Sequence, residues 1–269
     1  CGIGLRFSHI DQILEERPVI PWLEVLSDNY LIESSVQQDY LFEMANHYPL
    51  VMHGVGMSLG SVDPLNTVYL QRLKALADRV NPAWLSDHLC WSSVHGMNTH
   101  DLIPLPYTHA TINHVAERIR QAQDFLGREL IIENVSSYLQ YKDSVMPEWE
   151  FFSEVAEAAD CGMLLDINNI YVSACNHAFD AEDYLSAIPA DRVRQFHLAG
   201  FEDRGTHLLD THGHPVPEPV WELYKKALQT LGPIPSLIEW DNNIPALEVL
   251  LAEQGKAAVL LNQFSGSQQ

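Results

Sequence analysis

Six strand-length runs in this chain each end in a residue that can bind a metal ion. Leu50-Val51-Met52 ends at His53, Trp84 to Asp87 at His88, and Leu130-Ile131-Ile132 at Glu133. Met163-Leu164-Leu165 ends at Asp166, Val193 to Phe196 at His197, and Leu237-Ile238 at Glu239. Imidazole mixed with carboxylate suits iron, manganese or zinc. Three groups of each kind, brought together, make a site for more than one ion. An acid at the end of an apolar run is hard to explain otherwise, because carboxylates are almost never fully buried unless paired or metal-bound. Arg6 and Arg194 are the obvious basic residues that could neutralise these acids as a salt-bridge network instead.

The stretch after His197 adds Asp210-Thr211-His212, flanked by His207 and His214. An Asp-x-His pair in a loop can turn both side chains toward one ion. Asn169, three residues past Asp166, is a weaker candidate ligand or a turn former. Glu24, Asp28 and Asn29, at the end of another strand-like run, are candidate pocket residues. The four cysteines (Cys1, Cys90, Cys161, Cys175) have no C-x-x-C spacing, so structural zinc and iron–sulfur sites are not indicated.

Residues spread so widely need a fold that collects strand ends. Gly2–Arg6 and Trp22–Leu26 complete a set of eight strand candidates. Helical periodicity fills Ser35–His47, Asn66–Val80, Thr111–Leu126, Trp149–Ala159 and Val220–Leu231. Gly127 and Gly232-Pro233 stand where helices should stop. Alternating strands and helices imply a parallel sheet with helical crossovers. An open sheet gathers its site mainly at one switch point. Ligands from six strands require closure, so the expected fold is α/β, a TIM (β/α)8 barrel with its site on the C-terminal rim. The length of 269 residues suits one such barrel. No linker divides the chain, so residues 1–255 are read as one domain and 256–269 as a tail whose last residues fray. His53–Asn66, Trp91–Thr108 and Ala199–Pro219 read as long irregular segments following strands, where barrel loops carry function.

The net charge of −21 gives no basic footprint for nucleic acid. No apolar stretch is long enough to span a bilayer, and no basic-then-apolar N-terminal segment marks a secretory signal. Sparse cysteines fit a reducing cytoplasm, with Cys90 and Cys161 expected as small buried hydrophobes.

The motifs Gly-Ile-Gly-Leu-Arg at Gly2, Met-His-Gly-Val-Gly around His53, Ser-Asp-His-Leu around His88, Ile-Ile-Glu-Asn-Val around Glu133, Leu-Leu-Asp-Ile-Asn-Asn around Asp166 and Gln-Phe-His-Leu-Ala-Gly around His197 carry a resemblance. Together they resemble the multinuclear non-heme iron-dependent oxidative enzymes, a family formerly catalogued as uncharacterised that includes the iron oxidase of methanobactin biosynthesis. The resemblance runs from about residue 2 to residue 250, and its fold is similar to that of xylose isomerases and of barrel endonucleases that cut at abasic sites. It implies that Glu133 bridges two ions, that His53 and His88 hold one, and that Asp166, His197 and Glu239 hold the second. Asn169, Asp210 and His212 are implied for a third. Barrel endonucleases carry His where Asn169 stands, which favours the oxidase branch. The implied cofactors are two or three iron ions (Fe2+/Fe3+), with zinc or manganese as substitutes. The implied activity is a dioxygen-dependent oxidation of cysteine in a ribosomally made precursor peptide, within natural product biosynthesis. A second protein that grips the precursor's leader is the implied partner. The same ligand set would serve a zinc phosphodiester hydrolase, a divalent-metal sugar isomerase, or a metal-binding regulator without catalysis.

Overall fold

A computed structural model describes residues 1–266, and eight of its strands close into a barrel. The first four are β1 (Gly2–Gly4), β2 (Leu23–Leu26), β3 (Leu50–His53) and β4 (Leu85–His88). A hairpin of β5 (Trp91–Val94) and β6 (Met97–Ile103) follows, and then β7 (Leu130–Glu133), β8 (Gly162–Asp166) and β9 (Val193–Leu198). The short pair β10 (Glu202–Asp203) and β11 (Leu208–Leu209) precedes the last barrel strand, β12 (Ser236–Ile238). Around the barrel the order is β1-β12-β9-β8-β7-β4-β3-β2, and the neighbouring pairs are parallel. This is the expected (β/α)8 barrel.

The helices are α1 (Ile10–Glu16), α2 (Val36–Ala45), α3 (Thr67–Val80), α4 (His109–Leu126), α5 (Glu148–Ala159), α6 (Ile167–His177), α7 (Ala181–Ala187), α8 (Glu218–Leu231) and α9 (Leu247–Ser265). Their starts follow local chemistry. Ser35, Asn66, Thr108, Asp166 and Asp180 each cap a helix by accepting a backbone N–H with the side chain.

Strand parity decides which side chains reach the lumen. Successive residues face opposite sides, so each terminal ligand shares its face with the residue two before it. Met52, Leu85, Ile132, Leu165, Phe196 and Ile238 face the other way and join one continuous apolar cluster with the helices. That burial holds the strands and leaves the candidate ligands aimed inward. Cys90 and Cys161 are buried, as their small apolar character suggests.

Two expectations need correction. The segments 91–108 and 199–219 are not wholly irregular. The first folds into the β5–β6 hairpin, turning at His95-Gly96, both with positive φ (52° and 72°) as a type I′ turn demands. The second contains β10 and β11. Their strands alternate too weakly in polarity to be read from sequence. The chain past Gly255 is also no loose tail. Helix α9 carries on to Ser265 because Leu260, Leu261 and Phe264 pack against the core. The final Ser-Gln-Gln, where fraying was expected, lies outside the described residues. No helix among the described residues is long and apolar enough to cross a membrane.

Candidate metal centre

The six strand-end residues meet. His53, His88, Glu133, Asp166, His197 and Glu239 are all buried at the C-terminal mouth of the barrel. Register does part of this work, pairing His88 with Glu133 and Asp166 with His197 on adjacent strands.

Glu133 lies between two groups. Its Oε2 is 3.1 Å from His53 Nε2 and 3.3 Å from His88 Nε2. Its Oε1 is 3.3 Å from His197 Nδ1, which is also 2.9 Å from Glu239 Oε2. Ligand-type atoms of His53, His88 and Glu133 converge within ion-binding reach, and so do those of Glu133, Asp166, His197 and Glu239.

Each group is held from behind. Ser86 Oγ lies 2.8 Å from His53 Nδ1, and the Gly54 carbonyl 3.0 Å from His88 Nδ1. Asp166 doubles as the cap of α6: Oδ1 accepts the Asn169 N–H at 2.7 Å, which leaves Oδ2 turned to the site. Asn134, directly after Glu133, bonds both the N–H and the carbonyl of Asp166 and so ties β7 to β8.

His212 enters from the loop after β9. It has a left-handed backbone (φ 44°), pinned where its carbonyl accepts the Asp241 N–H at 2.7 Å. Such strain in a non-glycine residue is often kept at functional sites. Its Nε2 lies 2.7 Å from Asp210 Oδ1 and 3.6 Å from Asp166 Oδ2. Its Nδ1 lies 3.2 Å from Glu239 Oε2 and 3.3 Å from Asp241 Oδ2. Asn169 Oδ1 is buried without a partner, while its Nδ2 donates to the Asn134 carbonyl at 3.1 Å.

The electrostatics mark this as a place for cations. Burial pushes the Glu133 and Asp166 carboxyls up to about 7. Burial also drives His53 well down, helped by His88 and His197. Burial opposes charge on His197 and His212, yet the surrounding carboxylates raise both well above the ordinary imidazole value. In turn those two imidazoles hold Glu239 well below the ordinary carboxylate range, against its burial. Protons on imidazole thus balance the acids, a role that divalent ions fill more completely. Glu133 Oε2, Asp166 Oδ2, Asn169 Oδ1, His197 Nδ1 and His212 Nε2 are all buried without a well-aligned hydrogen bond, although carboxylate oxygens lie 2.7 Å from His212 Nε2 and 2.9 Å from His197 Nδ1. A buried polar atom left so is costly. Five at one place, from two carboxylates, two imidazoles and one amide without thiolate, fit a multinuclear site for divalent ions.

Other sequence candidates fall elsewhere. Arg194 pairs with Glu129 on an exposed surface, so it neutralises none of the buried acids. Arg6 does reach the site, 3.8 Å from Glu239 Oε1 and bonded to Asp241. Gly4 makes room for it, since a Cβ there would meet the guanidinium at 2.8 Å. Asp28 accepts the Val55 N–H and the Tyr69 hydroxyl, and Asn29 is exposed. Glu24 is buried and lies 3.1 Å from His197 Nε2. His207 is exposed beside Tyr138. Sequence reasoning missed Asp241, which groups with His212 and Glu239 within ion-binding reach. It also missed Asn134 and Ser86. Their signal was position: a polar residue one or two places from a strand-end ligand.

A family model described as RiPP precursor modification enzyme MbnB/TglH/ChrH matches residues 1–262. A UPF0276 protein of Acaryochloris marina is 52% identical over 263 residues, 98% of this chain and 95% of that protein. One from Anaeromyxobacter is 50% identical over 257 residues, 96% of this chain and 91% of its own. Among solved structures, endonuclease IV from Thermus thermophilus superposes with a TM-score of 0.64 at 15% identity, covering 97% of this chain and 98% of its own. A D-tagatose 3-epimerase-like protein gives 0.65 at 12% identity, covering 100% and 99%. At such identities the likeness is one of fold, the xylose-isomerase-like barrel.

Proposed function

Since the chain belongs to the MbnB/TglH/ChrH family of RiPP precursor modification enzymes, we propose that it is a multinuclear iron, dioxygen-dependent oxidase that modifies cysteine residues of a ribosomally made precursor peptide. The observation that carries this reading is Glu133, whose two oxygens face separate ligand groups across a buried mouth. In this assignment His53, His88 and Glu133 would hold one ion and Glu133, Asp166, His197 and Glu239 a second, with Asn169, Asp210 and His212 for a third.

Iron bound there would supply redox chemistry toward dioxygen and Lewis acidity toward a thiolate. The chain's part is positioning and charge. Glu24, Glu133, Asp166, Asp210, Glu239 and Asp241 set against Arg6 and two or three divalent cations would leave the mouth near neutral, which tolerates an anionic thiolate. Ser86, the Gly54 carbonyl and the α6 N-terminus fix the ligand side chains before an ion arrives. A second protein that grips the leader of the precursor completes the proposal, and four free cysteines support a cytoplasmic setting.

The test is to load the chain with ferrous iron without oxygen, add a Cys-containing precursor peptide (sought among the short reading frames beside its gene), then admit oxygen. Oxygen uptake with a mass change confined to the cysteine is the expected result. No uptake, with zinc-loaded protein cleaving abasic-site DNA instead, would replace the oxidase by a phosphodiester hydrolase.

A further inference from the structure

We propose that Glu24 is a positioning residue for this centre, fixing the His197 ring so that Nδ1 faces the ion shared with Glu133, Asp166 and Glu239. The proposal rests on the metal reading above. The three strand-end imidazoles are not oriented alike. His53 and His88 turn Nε2 toward Glu133 and keep Nδ1 against a hydroxyl and a carbonyl. His197 is reversed: Nδ1 faces Glu239 and Glu133, and Nε2 lies 3.1 Å from Glu24 Oε2.

The contact crosses the lumen, because β12 and β1 separate β9 from β2 around the barrel. Glu24 is only 3% exposed, and His197 is its sole ion-pairing partner among the described residues. A buried acid with no Lys or Arg is costly to keep unless it does something.

A chain of hydrogen bonds settles the direction of every group. Trp84 Nε1 can only donate, and it donates to Gln195 Oε1. The Gln195 amide nitrogen therefore points at Glu24 and donates to Oε2 at 2.6 Å. Glu24 Oε2 thus accepts from Gln195, and with the hydrogen toward Glu24 carried on Nε2, Nδ1 is the nitrogen left for an ion to take in place of a proton. A carboxylate behind a ligating imidazole fixes the tautomer and makes the ring a stronger donor, and losing such a partner typically costs about 10–100-fold in metal affinity. Gln195 and His197 share one strand face two residues apart, so β9 supplies both the ligand and the clamp on its support.

The experiment is a cobalt(II) titration of the metal-free full chain, followed by visible absorption against a competing chelator. In the wild type, at least two ions should bind. Glu24→Ala should weaken one of them about 10–100-fold. Glu24→Gln, whose amide oxygen still accepts both hydrogen bonds, should fall between Glu24→Ala and the wild type. His53→Ala should remove the ion it shares with His88, and adding Glu24→Gln to it should still weaken the His197-dependent ion. Glu24 variants that titrate like the wild type, or that weaken all ions in parallel with a lowered melting temperature, overturn the positioning role. Wild-type protein that takes up no cobalt overturns the metal reading itself, and this proposal with it.

Discussion

Oε1 of Glu133 lies 3.3 Å from Nδ1 of His197, close enough for one ion to bind both, while the other Glu133 oxygen faces the His53 and His88 rings. One carboxylate therefore serves two groups. Glu133→Ala should lose at least one ion per chain, read by elemental mass spectrometry, and abolish oxygen-dependent turnover. The fold should survive, because Glu133 burial raises its carboxyl to about 7 and so opposes rather than supports the metal-free state. The melting temperature of metal-free Glu133→Ala should equal or exceed that of the wild type. Unchanged metal content would end the bridging role.

His212 depends on a loop and not on the barrel. Its Nε2 faces Asp210 and Asp166, whereas the other imidazoles of the site come from strands. His212→Ala should remove one ion and leave those at Glu133 in place. Loss of every ion in this variant would mean that the division into sites is wrong.

Much of this centre was legible because burial makes an acid at a strand end conspicuous. Leu130-Ile131-Ile132 and Met163-Leu164-Leu165 are fully buried strands, and Glu133 and Asp166 stand where solvent cannot reach. That the ends of β3, β4, β7, β8, β9 and β12 bring these residues together followed from one rule about strand ends. Asp241 followed from none: it lies past the strand, and its role depends on the turn that bonds its N–H to the His212 carbonyl. Glu24 was visible as an acid in an apolar run, but its partner lies three strands away around the barrel. Long-range pairing of that sort leaves no local trace. Residues 256–269 read as a tail, yet helix α9 runs through them to Ser265 because Leu260, Leu261 and Phe264 pack against the core.

Gly200 sets where the His212 loop runs. A Cβ there would lie 2.3 Å from the His214 carbonyl oxygen and 2.5 Å from that of Pro215, both backbone atoms that cannot simply rotate away. Gly200→Ala must therefore push the segment bearing Asp210 and His212 outward. A cost of about 1–3 kcal/mol in stability is typical for such overpacking. The expected pattern is selective: the His212-dependent ion weakens by an order of magnitude or more, with the ions at Glu133 retained. Equal loss at all sites in the cobalt titration would place the damage in the barrel instead.

Glu148 offers a pH test away from the metal centre. It opens α5 and accepts hydrogen bonds from the Tyr184 and Tyr107 hydroxyls at 2.9 and 3.0 Å. Burial outweighs those bonds and raises its carboxyl from 4.5 to about 7. The fold thus favours the neutral acid. A raised folded value gives stability that is complete below the unfolded value and lost as pH rises through about 7. Between the two values the loss is on the order of 1 kcal/mol per pH unit. Glu148→Gln stays neutral throughout and keeps an acceptor, so it should escape this loss. The buried acids Glu133 and Asp166 slope the same way as half-buried Glu148 and cancel when the variant is subtracted from the wild type. Urea midpoints measured with chelator from pH 5 to pH 8 should show the variant gaining on the wild type as pH rises. Parallel curves would mean that Glu148 ionises in the folded chain as freely as it does in the unfolded one.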